Sequence, residues 1–130
     1  MVIGPGAKPA LIFPALALLE PGDEIIYPDP GFPTYAAMAD ISGATKIPVC
    51  LDEKKSFSFD LEEFDRKVGG KTKMIIINSP ANPTGGVMPM EVLRHIADAA
   101  IRHDSWVLSD EIYSQLVYDG KKAPSIATLP

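Results

Sequence analysis

The chain has 130 residues, 46% of them hydrophobic, which suits one domain with a buried core and leaves no length for a second. Asp and Glu outnumber Lys and Arg 17 to 12, for a formal charge of -5, and the basic residues are not clustered, which argues against a nucleic-acid or anionic-membrane surface. Cys50 is the only cysteine, so no internal disulfide can form and a cytoplasmic origin is expected.

The opening apolar run, Met1–Leu19, has no basic leader and is interrupted by Pro5, Pro9 and Pro14, so it reads neither as a signal peptide nor as a membrane span. Leu11, Ile12, Ala15, Leu16 and Leu19 recur at helical spacing, with Pro9 in a tolerated first-turn position and Pro14 as an expected kink. Pro21-Gly22-Asp23 stops this helix. Glu24–Tyr27 is a short apolar strand that ends in Pro28-Asp29-Pro30-Gly31. Tyr35, Met38, Ala39 and Ile41 predict a second helix closed by Gly43, and Thr45–Val49 a second strand.

Phe57 and Phe59 flank Ser58 in a short alternating stretch, after which Asp60 is placed to cap a helix running through Val68, with Glu63 as its capping-box partner. Met74–Ile77 is a continuous apolar run rich in β-branched residues, as expected of a central strand covered on both faces. It opens directly into Asn78-Ser79-Pro80-Ala81-Asn82-Pro83-Thr84-Gly85-Gly86. Pro89 starts a helix with Val92, Leu93, Ile96 and Ala100 on one stripe, and Trp106–Leu108 makes the next strand, ending at Ser109-Asp110-Glu111. Beyond Tyr113 the pattern gives a short strand-like Leu116–Tyr118 and an Asp119-Gly120 turn.

Strand, loop, helix, strand is a βαβ unit, and the chain as a whole reads as α/β: a three-layer α-β-α arrangement around a mostly parallel sheet. Such sheets bind ligands in the crevice beyond the C-terminal ends of their strands. Asn82 and Asp110 both lie just past such ends, so two polar groups a whole helix apart in sequence are expected to meet. His95 and His103 have no second pair of ligands nearby, and no metal site is expected.

Four motifs, in order and spacing, resemble the fold-type-I pyridoxal-phosphate-dependent aminotransferases. They are Gly6-Ala7-Lys8 before a helix, Asp29-Pro30-Gly31-Phe32-Pro33-Thr34-Tyr35, Asn82-Pro83-Thr84-Gly85, and Ser109-Asp110-Glu111-Ile112-Tyr113. The resemblance spans residues 1–130 and implies the central part of a large cofactor-binding domain. It implies pyridoxal 5'-phosphate as cofactor, an amino acid and a 2-oxo acid as substrates, and a homodimeric parent.

The resemblance also assigns roles. Asp110 would face the pyridine nitrogen, where a carboxylate favours the protonated, electron-withdrawing ring. Asn82 and Tyr113 would hydrogen-bond the phenolic oxygen. Gly6, Ala7 and Lys8 would receive the phosphate on backbone N–H groups at a helix start. Phe32 would lie against the ring face, with Tyr35 as the alternative. Plainer readings exist for each: Asp110 as a cap, Asn82 as a turn residue before proline, Tyr113 and the aromatic pair as core.

In the family, the lysine that anchors the cofactor follows the Ser-Asp-Glu-Ile-Tyr segment in a Ser-Lys context. Lys121 and Lys122 sit instead in a polar turn. The expectation is therefore a chain holding part of the pocket of a longer parent and inactive by itself, with the N-terminal arm, the anchoring lysine and the small domain outside it. Lyases and synthases share this fold, and a noncatalytic module is a further alternative. A dinucleotide-binding half is disfavoured because Pro9 stands where its third glycine belongs, and no G-x-x-x-x-G-K-[ST] loop supports an ATPase.

Overall fold

The computed structural model describes residues 3–130, so Met1 and Val2, the start of the apolar opening run, lie outside the described residues. Five strands make one sheet: β1 (Glu24–Asp29), β2 (Thr45–Asp52), β3 (Ser58–Phe59), β4 (Thr72–Asn78) and β5 (Trp106–Asp110), in the order β3-β2-β1-β4-β5. β2, β1, β4 and β5 run parallel, and β3 is antiparallel on the β2 edge. Four helices cover the faces: α1 (Lys8–Leu18), α2 (Thr34–Ser42), α3 (Leu61–Lys67) and α4 (Met90–His103).

The central strand β4 shows how the layers are set. Successive side chains of a strand point to opposite faces. Met74 and Ile76 therefore pack with Leu11 and Ala15 of α1 and with Tyr35, Met38 and Ala39 of α2. Ile75 and Ile77 turn the other way, onto Phe64 of α3 and Val92, Leu93 and Ile96 of α4. An unbroken apolar run is required because neither face is wet. Truncating such a core isoleucine to alanine costs about 2–5 kcal/mol.

The sheet has a switch point between β1 and β4. From β1 the chain moves outward to β2 and β3, then returns to β4 on the other side and moves outward again to β5. β1 pairs with β4 only over Glu24–Ile26, whereas it follows β2 as far as Asp29, and β4 follows β5 as far as Asn78. Past Ile26 and Ile75 the two central strands no longer pair. A crevice opens between their C-terminal ends, which is where open α/β sheets bind ligands.

Several local expectations need correction. Leu16 is 54% exposed, so the buried stripe is Leu11 and Ala15 of α1 with Leu19 just past its end. As expected, Pro14 lies inside α1, where it gives no N–H to the ladder. β1 and β2 run two and three residues longer than expected, with Pro28 and Pro48 inside them. The capping box is only half made. Asp60 accepts from the N–H groups of Glu62 and Glu63, but the Glu63 carboxylate turns to Cys50 N–H at 2.9 Å and to Lys67, because the Asp60 N–H is already held by the Cys50 carbonyl. Leu116–Tyr118 is not a strand. Leu116 and Tyr118 are exposed and have no neighbouring strand to pair with, whereas Asp119-Gly120 does turn, with positive φ at both residues. The tail returns at Ile126 and Leu129, which pack against the α4 side of the sheet.

Candidate functional site

A cavity of about 260 Å³ lies at the C-terminal ends of β1, β4 and β5. Asp110 ends β5, Asn78 ends β4, and Phe32 and Tyr35 follow β1 at the start of α2; all four line it. Asn82 and Tyr113 reach it from the loops after β4 and β5, and Ala7, Lys8 and Leu11 from the start of α1. Of the seven residues expected at the site, the fold thus brings six to one cavity: Ala7, Lys8, Phe32, Asn82, Asp110 and Tyr113.

Gly6 is the exception. It does not line the cavity, and its N–H donates to the Gly4 carbonyl at 2.9 Å, closing a tight turn at a φ of 87°. The backbone donors offered to the cavity are therefore those that follow it, at Ala7 and Lys8. α1 has no side-chain cap and no acidic residue in its first turn, so its free N–H groups and positive dipole end remain available to an anion.

Asp110 is 9% exposed and each of its carboxylate oxygens accepts a hydrogen bond. Oδ2 accepts from the Tyr35 hydroxyl at 2.8 Å and Oδ1 from the Ile112 N–H at 3.2 Å. The second contact is the local capping-type bond that a plainer reading anticipates, but only a turn follows it, not a helix. Tyr35 is wholly buried, and burial, followed by its bond to Asp110, pushes its phenol well above the ordinary range. It therefore stays a protonated donor at any working pH. Of the two aromatic candidates, Tyr35 is committed through its hydroxyl to Asp110, whereas Phe32 is partly buried, edge-on to Tyr35 at 5.9 Å, and lines the cavity. Lys8 Nζ stands 5.9 Å from the centre of the Phe32 ring, which puts a positive charge at the α1 side of the cavity.

The sequence does not show what two residues of the candidate site do. Tyr35 reads there only as a ring, whereas its hydroxyl meets a partner 75 residues away. Asn78 reads as the first residue of a loop; in the structure it ends β4, is 3% exposed and bonds to both the Asp110 carbonyl and the Asn82 N–H. A buried polar residue ending an apolar strand is the signal that could have found it.

A larger recess, about 530 Å³, opens beside the first and shares Asn82 and Tyr113 with it. It runs between the Pro80–Val87 loop and the 116–121 segment, with Lys121 at its border, and holds neither Asp110 nor the α1 start. We assign the smaller cavity as the site because a carboxylate, an amide, a phenol, an aromatic face and a helix N-terminus converge there. His95 is half-buried against Phe64 and pairs with Asp65 at 2.6 Å. Among the described residues no cluster of His, Cys, Asp and Glu is arranged to hold a metal.

These groups suit a flat heteroaromatic ligand that carries a phosphate. The carboxylate favours a cationic ring nitrogen, Phe32 offers a face, Asn82 and Tyr113 offer donors to a ring oxygen, and the α1 start takes an anion. The family model for aminotransferase class I and II matches residues 1–129. The aspartate aminotransferase of Pyrococcus abyssi is 40% identical over 124 residues, covering 95% of this chain and 32% of that protein. The aromatic-amino-acid aminotransferase 2 of Thermococcus litoralis is 36% identical over 129 residues, covering 99% of this chain and 33% of that protein. A solved aromatic aminotransferase from Pyrococcus horikoshii superposes with a TM-score of 0.90 at 38% identity, over 96% of this chain and 34% of that one. The chain spans about a third of the length of the curated relatives it matches.

Proposed function

This chain belongs to the class I and II aminotransferase family, and we propose that it is part of the large, cofactor-binding domain of a pyridoxal-phosphate-dependent enzyme that moves an amino group between an amino acid and a 2-oxo acid. The convergence of Asp110, Asn82, Tyr113 and Phe32 on one cavity beside the α1 start carries the proposal. Bound there, the cofactor would supply an electron sink for the carbon that bears the amino group. The protein would supply the setting.

Asp110 would pair with the ring nitrogen and keep its proton in place, Tyr35 holding the carboxylate ready for that contact. Asn82 and Tyr113 would donate to the phenolic oxygen and stabilise its anionic form. Phe32 would fix the plane of the ring. The N–H groups of Ala7 and Lys8 would receive the phosphate, with the Lys8 ammonium adding charge nearby. The Pyrococcus abyssi and Thermococcus litoralis relatives are named for different donors, aspartate and aromatic amino acids, although both match nearly the whole chain. This supports assigning the shared third to the cofactor and placing donor choice elsewhere in the parent, which we take to be a cytoplasmic homodimer.

None of the lysines in these 130 residues is assigned as the covalent anchor, and the chain by itself is proposed to be inactive. Titrating the protein with pyridoxal phosphate and following absorbance tests both points. We expect saturable binding that Asp110→Ala weakens roughly tenfold to a hundredfold, since hydrogen bonds to charged groups are worth about 1.5–3 kcal/mol. Borohydride should leave no adduct concentrated on one lysine. Equal binding by the variant, or a single reduced adduct on Lys8 or Lys121, would overturn the assignment.

A further inference from the structure

We infer that Asn78 is a positioning residue: its side-chain amide locks the Asn82 loop to the Asp110 strand end, so that the two polar groups offered to the ligand stand in fixed relation. The inference rests on the cofactor reading above for its consequence, but not for its geometry.

Asn78 is the last residue of β4 and lies in register with Asp110, the last of β5. Nδ2 donates to the Asp110 carbonyl at 2.9 Å, and Oδ1 accepts from the Asn82 N–H at 2.7 Å. Reversing the amide would set oxygen against carbonyl and NH2 against N–H, so the two partners together fix its orientation. The Asp110 carbonyl also accepts from Ser79 N–H at 3.2 Å, and this second bond confines the strand end to one position.

At 3% exposure, water has no access to replace either bond. A primary amide on a one-carbon stem offers donor and acceptor at this reach whatever the pH. Glutamine is a methylene too long, leucine has neither group, and aspartate keeps the acceptor while turning the donor into a second acceptor facing a carbonyl. The aspartate case separates the two links: as a carboxylate it holds Asn82 and repels the Asp110 carbonyl, and once protonated it serves both.

The experiment uses the 130-residue chain with Asn78→Asp and Asn78→Leu, measuring amide hydrogen exchange at Asn82 without ligand and pyridoxal phosphate affinity between pH 5 and 8. We expect Asn78→Leu to lose tenfold or more of the Asn82 exchange protection. Asn78→Asp should keep that protection. Its affinity should fall roughly tenfold below wild type at pH 8 and recover toward wild type as the pH is lowered and the introduced carboxyl takes up a proton. A residue that merely stabilised the fold would lower affinity only as far as the folded fraction falls, which a urea midpoint for each variant at each pH measures.

Unchanged Asn82 exchange in Asn78→Leu overturns the linkage. A pH-independent deficit in Asn78→Asp, or none, overturns its role at the site. A wild-type chain that binds no pyridoxal phosphate overturns the cofactor reading instead, and the exchange measurement still decides the linkage.

Discussion

Tyr35→Phe removes one atom from the site, and its cost can be worked from the contacts. The phenyl ring refills the same buried space against Met74 and Ile76, so no cavity forms, and what is lost is the 2.8 Å bond to Asp110 Oδ2. The partner is a carboxylate 9% exposed, which keeps only the longer bond from Ile112 N–H. Bonds to charged groups are worth about 1.5–3 kcal/mol, so we expect a loss near 2 kcal/mol at pH 7. With a urea slope of about 1–3 kcal/mol per M, this moves the midpoint by roughly 1 M while the slope stays the same.

The alkaline limb adds a second readout. The Tyr35 phenol is raised in the folded state, by burial first and by Asp110 next, above its unfolded value of about 10. Between these values the folded chain holds a proton that the unfolded chain has released. The stabilisation is therefore complete below about pH 10 and is lost above it, at about 1.4 kcal/mol per pH unit for this one group. Tyr27 is also raised, chiefly by burial, and adds to the decline in both proteins. The Tyr35→Phe variant should consequently start lower at pH 7 and fall less steeply above pH 10. A loss under about 0.5 kcal/mol together with superimposable alkaline limbs would refute the reasoning, and a double-mutant cycle with Asp110→Asn isolates the pair.

Two further substitutions test neighbouring parts of the structure. A Cβ built on Gly31 would stand 2.2 Å from the Pro28 carbonyl oxygen, so Gly31→Ala should shift the turn that carries Phe32 and cost about 1–3 kcal/mol, with weaker pyridoxal phosphate binding; wild-type stability and affinity would count against that turn. The Cys50 thiol is exposed, yet the neighbouring Glu63 carboxylate holds it above its ordinary value, while Lys67 holds the Glu63 carboxyl below its own. Alkylation of Cys50 near neutral pH should therefore be slower than for a free thiol and should quicken in Glu63→Gln, and a rate indifferent to that change would refute the contact. Because Glu63 is depressed in the folded state, its contribution to stability should be present above about pH 4.3 and disappear as the pH falls through the lower folded value. Acid unfolding monitored in Glu63→Gln, which lacks that loss, provides the check.

The elements that bury one clear face were legible in the sequence. Val92, Leu93, Ile96 and Ala100 at helical spacing, and the unbroken Met74–Ile77 run, each have one low-energy interpretation, and the alternation of strand and helix then forces Asn82 and Asp110 to the same edge of the sheet. What remained hidden depends on partners distant in the chain. Nothing near Tyr35 shows that its hydroxyl meets residue 110, and nothing near Asn78 shows that its amide spans two loops. Glu63 fits a capping-box pattern, but β2 lies close enough for Cys50 to take both the N–H and the carboxylate that the box requires. At Gly6 nothing local shows that its N–H closes a turn onto the Gly4 carbonyl and leaves Ala7 and Lys8 as the nearer backbone donors to the cavity. Leu116–Tyr118 has the composition of a strand without a strand to pair with.

The cofactor assignment meets its most direct test in a crystal structure of the protein grown with pyridoxal phosphate. We expect the ring nitrogen about 2.7–2.9 Å from an Asp110 carboxylate oxygen, the ring face against Phe32, and the phosphate at the N–H groups of Ala7 and Lys8. Cofactor seated instead in the larger recess beside Lys121, with Asp110 still turned wholly to Tyr35 and Ile112, would contradict it.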